Sequence, residues 1–391
     1  MSEVYIVSAA RTAIGKFGGT LANHTPIQLG ALTARAVLER AAASPDIVDA
    51  AVYANVLATE PRDVYAPRVI AAEAGVPSSS TAFSVNRLCG SGAQAIVSAS
   101  QSIRDGDATV ALAGGTEVMS RAPYSVPGAR SGLRMGDGVV YDWLSGALID
   151  PFGHGHMGVT AENIAERNGI SRQHQDEYAV ESQRRALTAI KEGRFAEQIV
   201  PVEVRSKKET ITFDTDEHPR KATLEGLAKL KPTFQEGGSV TAGNASGMND
   251  GAASVLLAGE DALETHGLSP LARIVSWGIA GVPPEIMGIG PVEAVPRALD
   301  KAGLTLADMD LIESNEAFAA QSIAVQDALG FDPDKTNVDG GAVALGHPIG
   351  ATGAILTVKM LHRLKATGGR YGLITMCIGG GQGIALIIEV V

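Results

Sequence analysis

A glycine-flanked corner occurs twice in this chain, each time at the start of a helix of small residues. Ser84-Val85-Asn86-Arg87-Leu88-Cys89-Gly90-Ser91-Gly92 passes directly into Ala93-Gln94-Ala95-Ile96-Val97-Ser98. It reads as a short strand, a tight turn carrying one cysteine, and a buried helix. His347-Pro348-Ile349-Gly350-Ala351-Thr352-Gly353-Ala354 opens a second helix in the same way. Each helix leads to a strand that ends in glycines, residues 109–115 after the first and 371–376 after the second, where Cys377 and Gly379-Gly380-Gly381 follow. Such a duplication predicts two similar half-domains related by a pseudo-dyad that brings the two helix N-termini together.

The rest of the chain keeps the same alternation. Strand-like runs at residues 4–8, 48–57, 252–257, 272–277, 311–314 and 384–389 are separated by helical patterns at 27–43, 66–75, 294–301 and 350–364. Residues 11–19 read as a glycine-punctuated loop. Alternation of this kind implies a mostly parallel sheet covered by helices on both faces. The composition agrees: 45% of residues are apolar but only 4% aromatic, and 46 glycines favour an interior of small side chains.

At 391 residues the chain exceeds one ordinary core. Its texture changes at about residues 120–249, which hold an irregular Pro/Gly/Arg-rich segment (124–135) and two helices (160–168 and 171–192). Ser171 is a candidate N-cap and Gly193 a terminator. The segment ends in a charged stretch with Arg205, Lys207, Lys208, Arg220, Lys221, Lys229 and Lys231. This region is expected to be an insertion forming a lid or ligand platform.

Net charge of −11 argues against nucleic acid or an anionic membrane as the main partner. The sequence shows no membrane-length apolar run and no signal-peptide pattern, so a soluble cytoplasmic location is expected. The two cysteines belong to no CxxC pair or zinc-ligand cluster, which points to reactive thiols and no metal.

A thiol at Cys89 would sit at a helix N-terminus, where free N–H groups favour the thiolate. Gly90 and Gly92 would let a substrate carbonyl approach the backbone. His347 is the candidate base. His156, in Gly155-His156-Met157-Gly158, is a second candidate site residue, whereas the other histidines lie in polar, surface-like contexts. Asn315 follows a buried strand and precedes a helix, a place for a pocket-facing amide or for a cap. Cys377 heads a glycine run whose N–H groups could bind an oxyanion; without the cysteine that run would read as a tight turn.

Four motifs occur in order: Asn86-Arg87-Leu88-Cys89-Gly90-Ser91-Gly92, Asn315-Glu316-Ala317-Phe318-Ala319, Gly346-His347-Pro348-Ile349-Gly350, and Cys377-Ile378-Gly379-Gly380-Gly381-Gln382-Gly383. Together they resemble the thiolases, in particular bacterial acetyl-CoA acetyltransferases and β-ketothiolases. The resemblance runs from Val4 to the end of the chain.

It implies an α/β, five-layered αβαβα fold of two similar half-domains with an inserted loop domain. Residues 1–119, completed by about 250–270, would form the first half, 120–249 the insertion and 271–391 the second half. The implied activity is acyl-CoA C-acyltransfer, making or cleaving a 3-ketoacyl-CoA such as acetoacetyl-CoA by Claisen condensation or thiolysis through an acyl-cysteine. Cys89 would carry the acyl group, with His347 lowering its pKa. Cys377 would be the acid/base at the α-carbon. Asn315, through a held water, and His347 would stabilise the enolate, and the N–H groups of Cys89 and Gly379 would form a second oxyanion hole.

Coenzyme A contacts carried over from the family are Arg220, Phe234, Ala242 and Ser246, with Leu88, His156, Met157, Met287 and Phe318 around the thioester. Relatives often carry a serine where this chain has Gly226. The resemblance also implies coenzyme A as substrate or product with no other cofactor, and a homotetramer of two tight dimers with residues 124–143 as the tetramer contact. The alternatives are a longer-chain degradative 3-ketoacyl-CoA thiolase, a ketoacyl-ACP synthase, or a protein that only binds acyl-CoA. A ketoacyl-ACP synthase would carry a histidine where this chain has Asn315. Mere binding would not call for both cysteines, His347 and Asn315.

Overall fold

The computed structural model describes residues 3–205 and 209–391; Lys207 and Lys208 of the basic stretch lie outside them. The first half contributes β1 (Val4–Thr12), β2 (Ala50–Ala54), β3 (Thr81–Val85), β4 (Val110–Val118) and β5 (Asn249–Gly259), in the spatial order β3-β2-β4-β5-β1. The second half contributes β6 (Ala272–Gly281), β7 (Leu311–Ser314), β8 (Tyr371–Ile378) and β9 (Gln382–Val390), in the order β7-β8-β9-β6.

The two orders are the same once β7's outer neighbour is recognised. A lone parallel bridge from Ile312 to Thr336 stands where β3 stands in the first half. Strand directions match too: β2 is parallel to β3 and β4, and β7 to β8, while the last strands of each half run antiparallel, so the sheet is mixed and not mostly parallel as the alternation implied. A short antiparallel contact between β1 and β6 joins the halves edge to edge.

Five layers result. On the outer face of the first sheet lie α1 (Pro26–Arg40) and α2 (Ala66–Glu73), packing Ile27, Ala34 and Ile70 against Val7, Tyr53 and Leu256. Helices α3 (Ser91–Arg104) and α8 (Thr352–Thr367) form the middle layer, where Ile96, Val97, Ile355 and Val358 meet the inner faces of both sheets. On the far face, α6 (Gly290–Ala302) and α7 (Ala319–Leu329) pack Ala294, Ala298 and Val325 over Leu373 and Ile387.

The middle layer explains the duplicated glycines. A Cβ on Gly92 would lie 2.6 Å from the Ala354 backbone nitrogen, and one on Gly353 would lie 2.2 Å from that of Ala93. Helices α3 and α8 therefore cross backbone to backbone at their first turns. This close crossing places the loops of Cys89 and His347 side by side.

After β4 the chain leaves the first sheet and returns as β5, with α4 (Met157–Asn168) and α5 (Arg172–Lys191) between, and with Ile199–Val200 pairing on the way with the end of β1. Ser171 caps α5 by accepting from His174 N at 3.1 Å, and Gly193 follows with φ +71°. Residues 11–19 depart from the expected loop. β1 continues through Arg11, and Gly15–Lys16 pairs with β5. The Arg11 guanidinium tolerates full burial because Asp216 accepts from it at 2.7 and 2.9 Å. Cys377, expected after its strand, lies within it, opposite Gly383.

Candidate active site

The nucleophile candidate is held by its flanking residues. Leu88 adopts φ +45°, a left-handed conformation unfavourable for a bulky residue. Asn86 Oδ1 supports it by accepting from Leu88 N at 3.0 Å. Ser91 Oγ accepts from Arg87 N at 2.8 Å and donates to Leu88 O at 2.6 Å. Cys89 thus sits in the single turn Leu88–Gly90 that opens α3. Gly90 has no room for a side chain, since a Cβ there would lie 2.5 Å from Ile378 Cδ1.

His347 follows the short helix Ala342–Leu345 and precedes α8 by five residues. Its backbone N–H donates to Asn249 Oδ1 at 3.0 Å. Its ring Nδ1 is 2.6 Å from Thr352 Oγ1, which is also 2.8 Å from Pro348 O. Thr352 has one hydroxyl proton. If that proton pointed at the ring, the hydroxyl and carbonyl oxygens would face each other with no hydrogen between them. The hydroxyl therefore donates to Pro348 O and accepts from Nδ1–H. Nε2 is left with its lone pair, buried and without a protein partner. Burial pushes the imidazole pKa down to about 4, which keeps it neutral.

Cys89, His347, Cys377 and Gly379 line one cavity of about 360 Å³. Backbone hydrogen bonding from Gly379 and from Cys89 itself pulls the Cys89 pKa down, but burial outweighs it and pushes the thiol up. Burial, and then the charge Cys89 would carry, push the Cys377 thiol up as well. The direction expected for Cys89 from the helix N-terminus is thus reversed. Desolvation exceeds what a few backbone dipoles return, and the resting site is thiol, thiol and neutral imidazole.

The carried-over contacts divide cleanly. Leu88, Met157, Met287 and Phe318 line the cavity, as do His156, Phe234, Ala242 and Ser246. His156 stacks on Phe234 at 4.6 Å, and Phe234 meets Phe318 edge-on at 6.0 Å. His156 Nδ1 also caps α4, accepting from Gly158 N at 3.0 Å. Two residues are not on the wall. Arg220 is exposed, with its guanidinium donating to Ala242 O at 3.4 Å. Asn315 is 1% exposed, and both of its amide atoms are without a protein partner. It is no helix cap, because Phe318 precedes α7.

Four supporting residues escape a reading by motif. Asn249 accepts from His347 N, and Thr352 sets its tautomer. Glu316 accepts from Val343 N at 3.1 Å, Ser182 Oγ at 2.7 Å and Asn337 Nδ2 at 2.9 Å, behind Asn315. Glu117 lies wholly buried at the end of β4. A carboxylate inside an apolar strand was the available signal for Glu117. Asn249 gives none, since it acts through a distant partner. Thr352, five residues from His347, and Glu316, within the Asn315 motif, stand in readable stretches whose bonds the sequence does not reveal. Two histidines expected on the polar surface, His218 and His362, are largely enclosed, and burial pushes each down to about 4. His218 lies 3.3 Å from Asn249 Nδ2 and so backs the residue that holds His347.

Residues 4–261 match the thiolase N-terminal domain and residues 268–390 the thiolase C-terminal domain. The chain belongs to the thiolase family. It is 58% identical to the beta-ketothiolase BktB of Cupriavidus necator over 99% of both chains. It is 50% identical to the acetyl-CoA acetyltransferase of Escherichia coli over 100% of this chain and 99% of that one. The crystal structure of human mitochondrial 3-ketoacyl-CoA thiolase superposes with a TM-score of 0.97 at 46% identity, covering 100% of this chain and 99% of that one. As a thiolase, the chain has the five-layered fold its motifs imply. Among the described residues, no helix is long and apolar enough to cross a membrane, and no cluster of three or more His, Cys, Asp or Glu could hold a metal ion.

Proposed function

We propose that this thiolase, an acyl-CoA C-acyltransferase making or cleaving 3-ketoacyl-CoA such as acetoacetyl-CoA, works through an acyl group on Cys89. The reading is carried by one observation: two sulfurs and an unpartnered imidazole nitrogen share one mostly apolar cavity. His347 Nε2 takes the Cys89 proton as the sulfur attacks the thioester carbonyl. The thiol is neutral at rest, so transfer and attack proceed together. The same proton then passes to the departing coenzyme A thiolate.

In the condensation direction, His347, neutral again, takes the Cys377 proton, and the Cys377 thiolate removes a proton from the α-carbon of the second acyl-CoA. The enolate carbon attacks the acyl carbonyl, the carbon–sulfur bond to Cys89 breaks, the Cys89 thiolate takes the proton held on His347, and the 3-ketoacyl-CoA leaves. His347, and Asn315 through a held water, stabilise the enolate oxygen. The N–H groups of Cys89 and Gly379 take the tetrahedral oxyanion. Support for that last role comes from the place of Cys89 and Gly379 together on the wall of the cavity that holds both thiols. Asn315 owes its role to two buried amide atoms without protein partners.

Coenzyme A lies along Phe234, Ala242 and Ser246, with Arg220 outside the mouth near the nucleotide. Residues 120–249 act as the inserted domain that binds it. The long flap within that insertion is the tetramer contact: Tyr124, Leu133, Met135, Val139, Val140 and Tyr141 are all more than half exposed. The edge strand β3 is the place for the tight dimer.

The test is acyl transfer. After incubation with acetyl-CoA and digestion, an acetyl mass shift is expected on the peptide holding Cys89. Cys89→Ala should lose both the label and acetoacetyl-CoA cleavage. Cys377→Ala should take the label yet fail to condense. Cleavage by the Cys89 variant would sink covalent catalysis, and normal condensation by the Cys377 variant would remove that thiol from the reaction.

A further inference from the structure

Glu117 has none of the roles assigned above, yet its carboxylate accepts from donors in both halves. It lies at the end of β4 with no exposed surface. Oε1 accepts from Asn55 Nδ2 at 3.0 Å and Leu57 N at 3.1 Å. Oε2 accepts from Val56 N at 3.1 Å and from Gly350 N at 2.8 Å. The first three donors belong to the turn after β2 in the first half. Gly350 belongs to the second half, three residues beyond His347.

The fit around Gly350 is close on both sides. A Cβ on Gly350 would lie 2.7 Å from Glu117 Oε2, and a Cβ on Gly115 would lie 2.2 Å from Gly350 O. The peptide after His347 is therefore threaded between a glycine and a carboxylate of the opposite sheet. Four donors converge on two oxygens, which only an ionised carboxylate can satisfy in full. A glutamine would offer one acceptor oxygen and turn an N–H group toward donors.

We propose that Glu117 is a positioning residue for acyl transfer: by fastening Gly350 to the first half it fixes the loop of His347, and hence Nε2, relative to Cys89. The inference rests on the reading of His347 as the base for Cys89. The ring is already tied to Thr352, and the His347 backbone N–H to Asn249. Asn249, in β5, ties the loop to the half carrying the nucleophile at His347 itself, and Glu117, in β4, supplies the second tie to that half at Gly350. Misplacement of a reacting group by about 1 Å is enough to slow a reaction about a hundredfold.

The experiment compares Glu117→Gln, Glu117→Asp, Gly350→Ala, the Gln/Ala double variant and His347→Ala in acetoacetyl-CoA thiolysis, with thermal unfolding of each. Glu117→Gln is expected to lower kcat about ten- to a hundredfold. KM should stay near the parent value, because the coenzyme contacts lie in the insertion. Aspartate, keeping both oxygens and the charge, should recover most of the loss. Gly350→Ala attacks the same contact from the other half and should match Glu117→Gln, with the double variant no worse than either alone.

Folded Glu117→Gln and Gly350→Ala proteins with parent kcat would overturn the proposal. So would losses that multiply in the double variant, or a kcat that falls only as the folded fraction falls. Should Glu117→Gln not fold, Glu117→Asp and Gly350→Ala decide by the same criteria. A His347→Ala protein with parent kcat would instead overturn the assignment of the base, a result separate from any of these.

Discussion

One hydroxyl proton decides what His347 can do. Because Thr352 donates to Pro348 O, the ring must donate through Nδ1, and the lone pair on Nε2 faces the cavity. Thr352→Val leaves the fold's packing nearly isosteric but removes the acceptor. Losing one neutral hydrogen bond and the tautomer it selects should lower kcat for thiolysis about tenfold, with KM little changed. Thr352→Ser should restore the rate. Equal kcat for the valine variant in steady-state assays would show that the tautomer is set elsewhere. The same residues show why charge is absent from the resting site. A thiolate at Cys89 would gain two N–H contacts but lose its hydration, and the loss is larger.

At the scale of elements, the crossing of α3 and α8 does the positioning. Their first turns meet through Gly92, Ala93, Gly353 and Ala354, with no space for a methyl group. Gly353→Ala puts a Cβ against the Ala93 backbone nitrogen, an atom that cannot rotate away. Helix propensity favours alanine by about 1 kcal/mol, so an open site would be stabilised. Here overpacking should win and destabilise the protein by about 1–3 kcal/mol, read from the urea midpoint. A midpoint at or above that of the parent would mean the two helices can part without loss.

At the scale of the whole molecule, the apolar surface of residues 124–143 stands out. Bulky side chains exposed together on one flap mark an interface, since a lone subunit would carry them at risk of aggregation. If the proposed tetramer forms through this flap, the parent should sediment as a tetramer and the double variant Leu133→Asp/Val139→Asp as a dimer, with kcat per subunit kept. An unchanged sedimentation coefficient would place the tetramer contact elsewhere.

What the sequence by itself determined is local and periodic. Apolar runs gave the strands, the two glycine corners gave the duplicated halves, and Cys89, His347, Cys377 and Asn315 stood in motifs short enough to read. Even the close crossing of α3 and α8 was legible, because glycine and alanine at both helix starts signal close approach. The tertiary structure decided everything that depends on a distant partner. Asn249, Glu316 and Glu117 act on partners that reach them only after folding, so no spacing along the chain reveals them. Thr352, by contrast, stands five residues from His347, and only its bond to the ring waits for the folded turn. It also set the sign of the Cys89 shift, because desolvation depends on what surrounds a group in space. A helix N-terminus can be read from sequence; the burial that outweighs it cannot.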